Sequence, residues 1–195
     1  MNNTSSTQKV RMITFNALFI ALMLVMKLTG IGLIRLGVIN ITFYCTIITI
    51  CTLLLDLKSG LIQGAAFATI SLIDALQAPT TLVAPIVTQS VFTTVLLCYV
   101  PRLLVPVVTY FSHKLLCKNP KSDEVALAAA GALGSVTNSV LYLGIMVLCY
   151  LPMLADYPAV LGTIGGIVLY GSIPEAVAAG FLTPALVVAL RQVKR

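Results

Sequence analysis

Residues 125–151 read VALAAAGALGSVTNSVLYLGIMVLCYL, a run without one charged side chain. A bilayer's hydrocarbon core is crossed by a helix of about 20 largely apolar residues, so this run is long enough to span it with a turn to spare. The rest of the chain repeats the pattern. Of 195 residues, 59% are hydrophobic and 9% are charged, against roughly a quarter charged in ordinary globular domains. So few charges cannot clothe a water-soluble surface, and the chain is read as an integral membrane protein. About six spans with short loops use up the length and leave no room for a soluble domain, so one domain, 1–195, is expected.

Working outward from that run, the sequence predicts an all-α bundle of six transmembrane helices at about 12–34, 38–55, 59–76, 99–117, 125–151 and 172–191. Gly30 and Gly32 loosen the end of the first, and Arg35 and Gly37 open a short loop. Leu36–Leu55 is rich in Ile and Thr, a composition that also suits a strand, but its length fits a span better. Asp56 stops that helix, and Lys58, Ser59 and Gly60 turn the chain into the third, where Gly60, Gly64 and Ala68 form a small-residue stripe that lets a neighbour approach closely. Pro79 and Pro85 break the next stretch, giving a loop at 75–85, a short interfacial or re-entrant helix at about 86–97, and a main helix that carries Pro101 in its first turn. Pro152, Asp156 and Pro158 mark a loop, a Gly-rich connector covers 161–171, and Ser172 caps the last helix with Pro174 and Glu175 in its first turn.

The net charge of +6 resides at helix ends, where a membrane surface explains it without nucleic acid. Lys9, Arg11, Lys58, Lys114, Lys118, Lys121, Arg191, Lys194 and Arg195 fall on one side, and Lys27, Arg35 and Arg102 fall elsewhere. The positive-inside rule therefore places both termini in the cytoplasm. Lys9 and Arg11 before an apolar run imitate a signal peptide, but no small-x-small cleavage site precedes Lys27, so the segment is expected to remain as the first helix. The five cysteines (Cys45, Cys51, Cys98, Cys117 and Cys149) are odd in number and contain no C-x-x-C pair, which argues against a disulfide framework or a zinc site.

No phosphate-binding loop occurs, so the chain is not its own ATPase. Its only histidine, His113, is among lysines at a helix end, which leaves a membrane hydrolase or acyltransferase without a base beside a nucleophile. No catalytic residue, metal ligand or cofactor is expected. Ionisable groups at bilayer depth face a cavity or a partner, and Lys27, Arg102 and Glu175 are such groups. Arg102 and Glu175 either pair with each other or hold a polar solute. Asn138, with Gly134 and Tyr142 one turn away on either side, either bridges helices or lines a site. Asn40 and Gln77 are placed at the same level, as caps or as further solute contacts. Ala17 and Ala21 make a small-xxx-small pair that serves either internal packing or docking of another membrane protein.

Taken in order, Ala17 and Ala21, GVINIT at 37–42, SLIDALQAPT at 71–80, VPRLLV at 100–105, TNSVLYLG at 137–144 and IPEAVAAGFLTPALVVAL at 173–190 resemble the substrate-binding S components of energy-coupling factor (ECF) vitamin transporters. The resemblance runs nearly end to end and looks most like the pantothenate-type branch. It implies six helices in the plasma membrane of a bacterium, a vitamin bound on the extracellular side, and a transmembrane coupling protein with two cytoplasmic ATPase subunits as partners. It also implies that Ala17 and Ala21 meet the coupling protein. Where relatives often read L-H-I-P early in helix two, this chain has Tyr44, Cys45, Thr46 and Ile47, so no ligand contact carries over there.

The aromatic inventory bears on the ligand separately. Flat ring vitamins such as riboflavin, thiamine or folate are held by stacked aromatics, and this chain has no tryptophan. Pantothenate is aliphatic and needs a cation and hydrogen-bonding groups, which Arg102, Asn138 and Gln77 can supply. The alternatives are an S component for another vitamin, such as riboflavin or folate, and a stand-alone secondary transporter. The latter usually shows inverted repeats, and none is evident between 1–97 and 98–195.

Overall fold

The computed structural model describes residues 3–30, 33–36, 39–117, 123–151 and 157–194, and side chains within 9–30, 43–117, 123–151 and 161–192. Gly32, Gly37, Lys118, Lys121, Pro152, Asp156 and Arg195, invoked above, lie outside the described residues. The elements in order are α1 (Asn3–Thr29), β1 (Leu33–Leu36), β2 (Ile39–Thr42), α2 (Tyr44–Leu54), α3 (Leu57–Gln77), α4 (Ala84–Gln89), α5 (Val91–Leu116), α6 (Asp123–Tyr150), α7 (Tyr157–Ile167), a π turn (Val168–Ser172) and α8 (Ile173–Lys194). Five helical stretches are long and apolar enough to cross a membrane: Lys9–Thr29, Leu57–Gln77, Val91–Leu116, Asp123–Tyr150 and Leu161–Gln192. With the shorter apolar α2, they form an all-α membrane bundle.

Three expectations are corrected. The apolar stretch expected as one span at 38–55 divides. Its first part pairs with the end of the expected first helix in an antiparallel hairpin, with Leu33 opposite Thr42 and Arg35 opposite Asn40, and only 11 residues remain helical in α2. Ile and Thr are β-branched and suit a strand, and total apolar length conceals the division. The helix expected from Tyr99 begins at Val91, because Ser90 caps it by accepting from the Thr93 backbone N–H at 3.5 Å. Pro101 therefore falls inside α5 rather than in its first turn, and the interfacial helix shrinks to α4. The Gly-rich connector at 161–171 is helical, and Ser172 belongs to the π turn rather than to a cap. Pro174 has no N–H for the carbonyl one turn back and its ring crowds that carbonyl. The turn opens there, and Ile173 N–H reaches back five residues to the Val168 carbonyl.

α6 packs between α5 and α8, and α5 also packs on α3. Small residues make these approaches possible. A Cβ on Gly131 would come within 2.7 Å of the Ala179 carbonyl oxygen in α8, and one on Gly64 within 2.5 Å of the Arg102 carbonyl oxygen in α5. α1 is the least embedded span, with 11% of its apolar stretch buried against 44% for α3. A polar cluster fixes it. Gln63 Nε2 donates to the Asn16 carbonyl (3.0 Å) and to Asn16 Oδ1 (3.1 Å), while Asn16 Nδ2 donates to Ser59 Oγ (3.0 Å). At the other end of α1, Lys27 pairs with Asp74 at 2.9 Å.

Candidate functional site

At the end of the bundle away from the termini, α2, α3, α5, α6 and the π turn leading into α8 enclose a cavity of about 190 Å³. That volume has room for on the order of a dozen water-sized groups. Phe67, Ser71 and Asp74 line it from one face of α3, Asn138, Ser139, Tyr142 and Met146 from α6, Tyr44 from α2, Arg102 from α5, and Ser172 and Glu175 from the π turn and α8.

Arg102 is 6% exposed, and its position follows from its neighbour. Pro101 cannot donate to the Leu97 carbonyl four residues earlier, and a carbonyl without a partner is expensive in a bilayer. Arg102 folds back along its own helix and supplies the missing donor, Nη1 to Leu97 O at 2.8 Å. Nη2 donates to Ser71 Oγ at 3.2 Å. The guanidinium is sandwiched between the rings of Tyr142 and Phe67, at 4.5 and 5.2 Å from their centroids. The other side of this aromatic wall is filled too, because Phe67 stacks on Tyr44 with centroids 4.8 Å apart. One donor of the fork, Nε, is buried with no hydrogen-bond partner.

Asn138, 8% exposed, faces the same cavity, and its Oδ1 also has no partner. Glu175 is 7% exposed and comes from α8 beside Cys45. Among the described residues the acid–base contacts are Lys27–Asp74, His113–Asp123 and Arg191–Asp123; Arg102–Glu175 is not one of them. The cavity thus offers a buried donor and a buried acceptor, with hydroxyls of Ser139 and Ser172 between polar walls and Leu82, Val83, Leu143 and Met146 as apolar ones.

Of the residues singled out in the sequence, Arg102, Asn138, Tyr142 and Glu175 are brought together here. Gln77 is exposed at the end of α3, and its neighbours Asp74, Ala78 and Thr80 line the cavity instead. Asn40 is on β2, in a hairpin that packs beside the π turn. Ala17 and Ala21 are exposed on α1, not packed inside. Tyr44, Phe67, Ser71 and Asp74 were not anticipated. Phe67, Ser71 and Asp74 recur at helical spacing on α3, a signal readable once the helix is assigned.

Residues 11–190 match the family model described as ECF transporter, substrate-specific component. No curated protein matches the chain.

Proposed function

Because the chain belongs to the family of ECF transporter substrate-specific components, we propose that it captures a small aliphatic vitamin, pantothenate first, in the cavity around Arg102 and Asn138. As a member of that family it is a multi-pass membrane subunit that binds a small-molecule substrate and partners with an ECF module, and it is not an enzyme. The finer reading is that the cavity opens to the outside of a bacterial plasma membrane with both termini in the cytoplasm. There the chain delivers its vitamin to a transmembrane coupling protein driven by two cytoplasmic ATPase subunits. The exposed Ala17 and Ala21 give that coupling protein a flat strip on α1.

One observation carries the choice of ligand. Much of the aromatic surface of the cavity is engaged by the protein itself, since Arg102 is held against Phe67 and against Tyr142, and Tyr44 stacks on Phe67. That leaves a planar vitamin little ring surface to stack on, whereas an aliphatic one needs hydrogen-bonding groups, which Arg102 and Asn138, each with a buried atom that has no partner (Nε and Oδ1), can supply. A carboxylate on Arg102 gains a charge-assisted hydrogen bond, and a hydroxyl or amide N–H meets Asn138.

Calorimetry of pantothenate, riboflavin and folate against the detergent-solubilised protein tests this. Pantothenate binds and the ring vitamins do not. Asn138→Ala and Arg102→Ala each weaken it by about 2 kcal/mol, on the order of thirtyfold, as for loss of one partner in a buried polar contact. Tight binding of riboflavin or folate in place of pantothenate overturns the ligand assignment. Unchanged affinity in a well-folded Arg102→Ala protein overturns the role of the guanidinium.

A further inference from the structure

At the opposite end of the bundle from the cavity, the last turn of α5 and the first of α6 bring three different donor side chains to one point. His113 Nε2 is 3.0 Å from Asp123 Oδ1, and Cys117 Sγ is 3.5 Å from the same oxygen. All three atoms lie within 4.8 Å of one another, at positions neither fully buried nor fully exposed. The second carboxylate oxygen, Oδ2, faces away and accepts from Arg191 Nη1 near the end of α8.

We propose that His113, Cys117 and Asp123 form a binding site for a borderline-soft divalent metal ion, zinc first. Cys117 is the residue that caps α5, and its backbone N–H bonds the His113 carbonyl one turn back, which keeps its side chain near that of His113. Imidazole, thiolate and carboxylate are a zinc donor set, while magnesium and calcium take oxygen donors. Metal–ligand bonds of about 2.0–2.3 Å in a tetrahedron separate neighbouring donor atoms by about 3.3–3.7 Å. Two of the three edges are already that short or shorter, and the third, no longer than 4.8 Å, closes by about an ångström through side-chain rotation at a helix end. One thiolate and one carboxylate neutralise a divalent ion, so the pairing of Asp123 with Arg191 persists. Arg191 then orients the ligating carboxylate from behind, as outer partners of metal ligands do. Three protein donors leave the fourth corner for water. The thiol loses its proton to solvent as the ion binds, and no redox step is involved.

The other cysteines sharpen the test, because Cys45, Cys51, Cys98 and Cys149 are buried in the bundle and Cys117 alone is partly exposed. The solubilised full-length chain is titrated with Zn²⁺ by calorimetry and with Co²⁺ by visible spectroscopy. The expected result is one ion per chain and a cobalt–thiolate charge-transfer band, with no heat from Mg²⁺ or Ca²⁺. Cys117→Ser and Cys117→Ala abolish the band, and His113→Gln weakens zinc at least tenfold while the protein stays monodisperse. Arg191→Gln keeps the band and weakens zinc severalfold. Absence of both the cobalt band and zinc binding in the unmodified protein overturns the proposal, leaving a hydrogen-bonded cluster. So does a band that survives in the Cys117 variants.

Discussion

Whether Pro101 is the reason for Arg102's position can be measured with a double-mutant cycle. Arg102→Ala removes two hydrogen bonds from a charged donor, to Leu97 O and Ser71 Oγ, and two ring contacts. Charged hydrogen bonds contribute about 1.5–3 kcal/mol each and desolvated cation–π contacts about 1–2, with strong non-additivity, so a loss of about 3 kcal/mol is expected. Part of that loss is the Leu97 carbonyl left without a donor. Pro101→Ala restores a backbone N–H four residues after Leu97, which takes over that carbonyl. In the Pro101→Ala background, removing Arg102 should therefore be milder by about 1–2 kcal/mol. The assay is SDS titration in mixed micelles followed by circular dichroism, on all four proteins without ligand. Equal losses in both backgrounds would refute the reasoning, because the guanidinium would then owe nothing to the proline.

Further outcomes follow from packing. Gly64→Ala drives a methyl to 2.5 Å from the Arg102 backbone oxygen; it should destabilise by about 1–3 kcal/mol and weaken substrate binding. Gly144→Ala, with nothing within 4 Å of its Cβ, should leave both unchanged in the same SDS and calorimetric assays. Ala17→Trp and Ala21→Trp place bulk on an exposed face, so vesicle uptake with the ECF module should stop while calorimetric affinity stays; loss of affinity would mean that the pair packs internally. Asn16→Ala removes the side-chain bonds to the fully buried Gln63 amide and to Ser59 while the Asn16 backbone carbonyl still accepts from Gln63, and SDS titration should register a loss of about 1–2 kcal/mol.

The class of fold is legible in uninterrupted apolar length, which is why the runs that became α3 and α6 emerge within two residues of their expected bounds. Length fails where two short elements share one apolar run, as at 33–54, because a bilayer demands low polarity from hairpin and helix alike. It fails again at Val91, where a single serine hydroxyl outweighs the prolines that follow. In the site, Arg102, Asn138 and Glu175 stand out because ionisable and amide groups are conspicuous in an apolar sequence. Tyr44 and Phe67 do not, since an aromatic ring in a membrane helix is equally at home against lipid. The three donors at 113, 117 and 123 are divided between two helices, and only the fold shows that they converge.

The π turn between α7 and α8 also works as a phase shifter. Ile167 and Glu175 both face the cavity though eight residues separate them. In an unbroken α-helix eight steps of about 100° leave two side chains about 80° apart around the axis. One extra residue taken up in the wide turn makes eight steps count as about seven, which brings the pair to within about 20°. Removing a single residue from Val168–Ser172 would leave seven ordinary α-helical steps and keep the pair within about 20°, whereas straightening the turn at its present length would swing the whole of α7 about its own axis and turn the Ile167 side of the cavity outward.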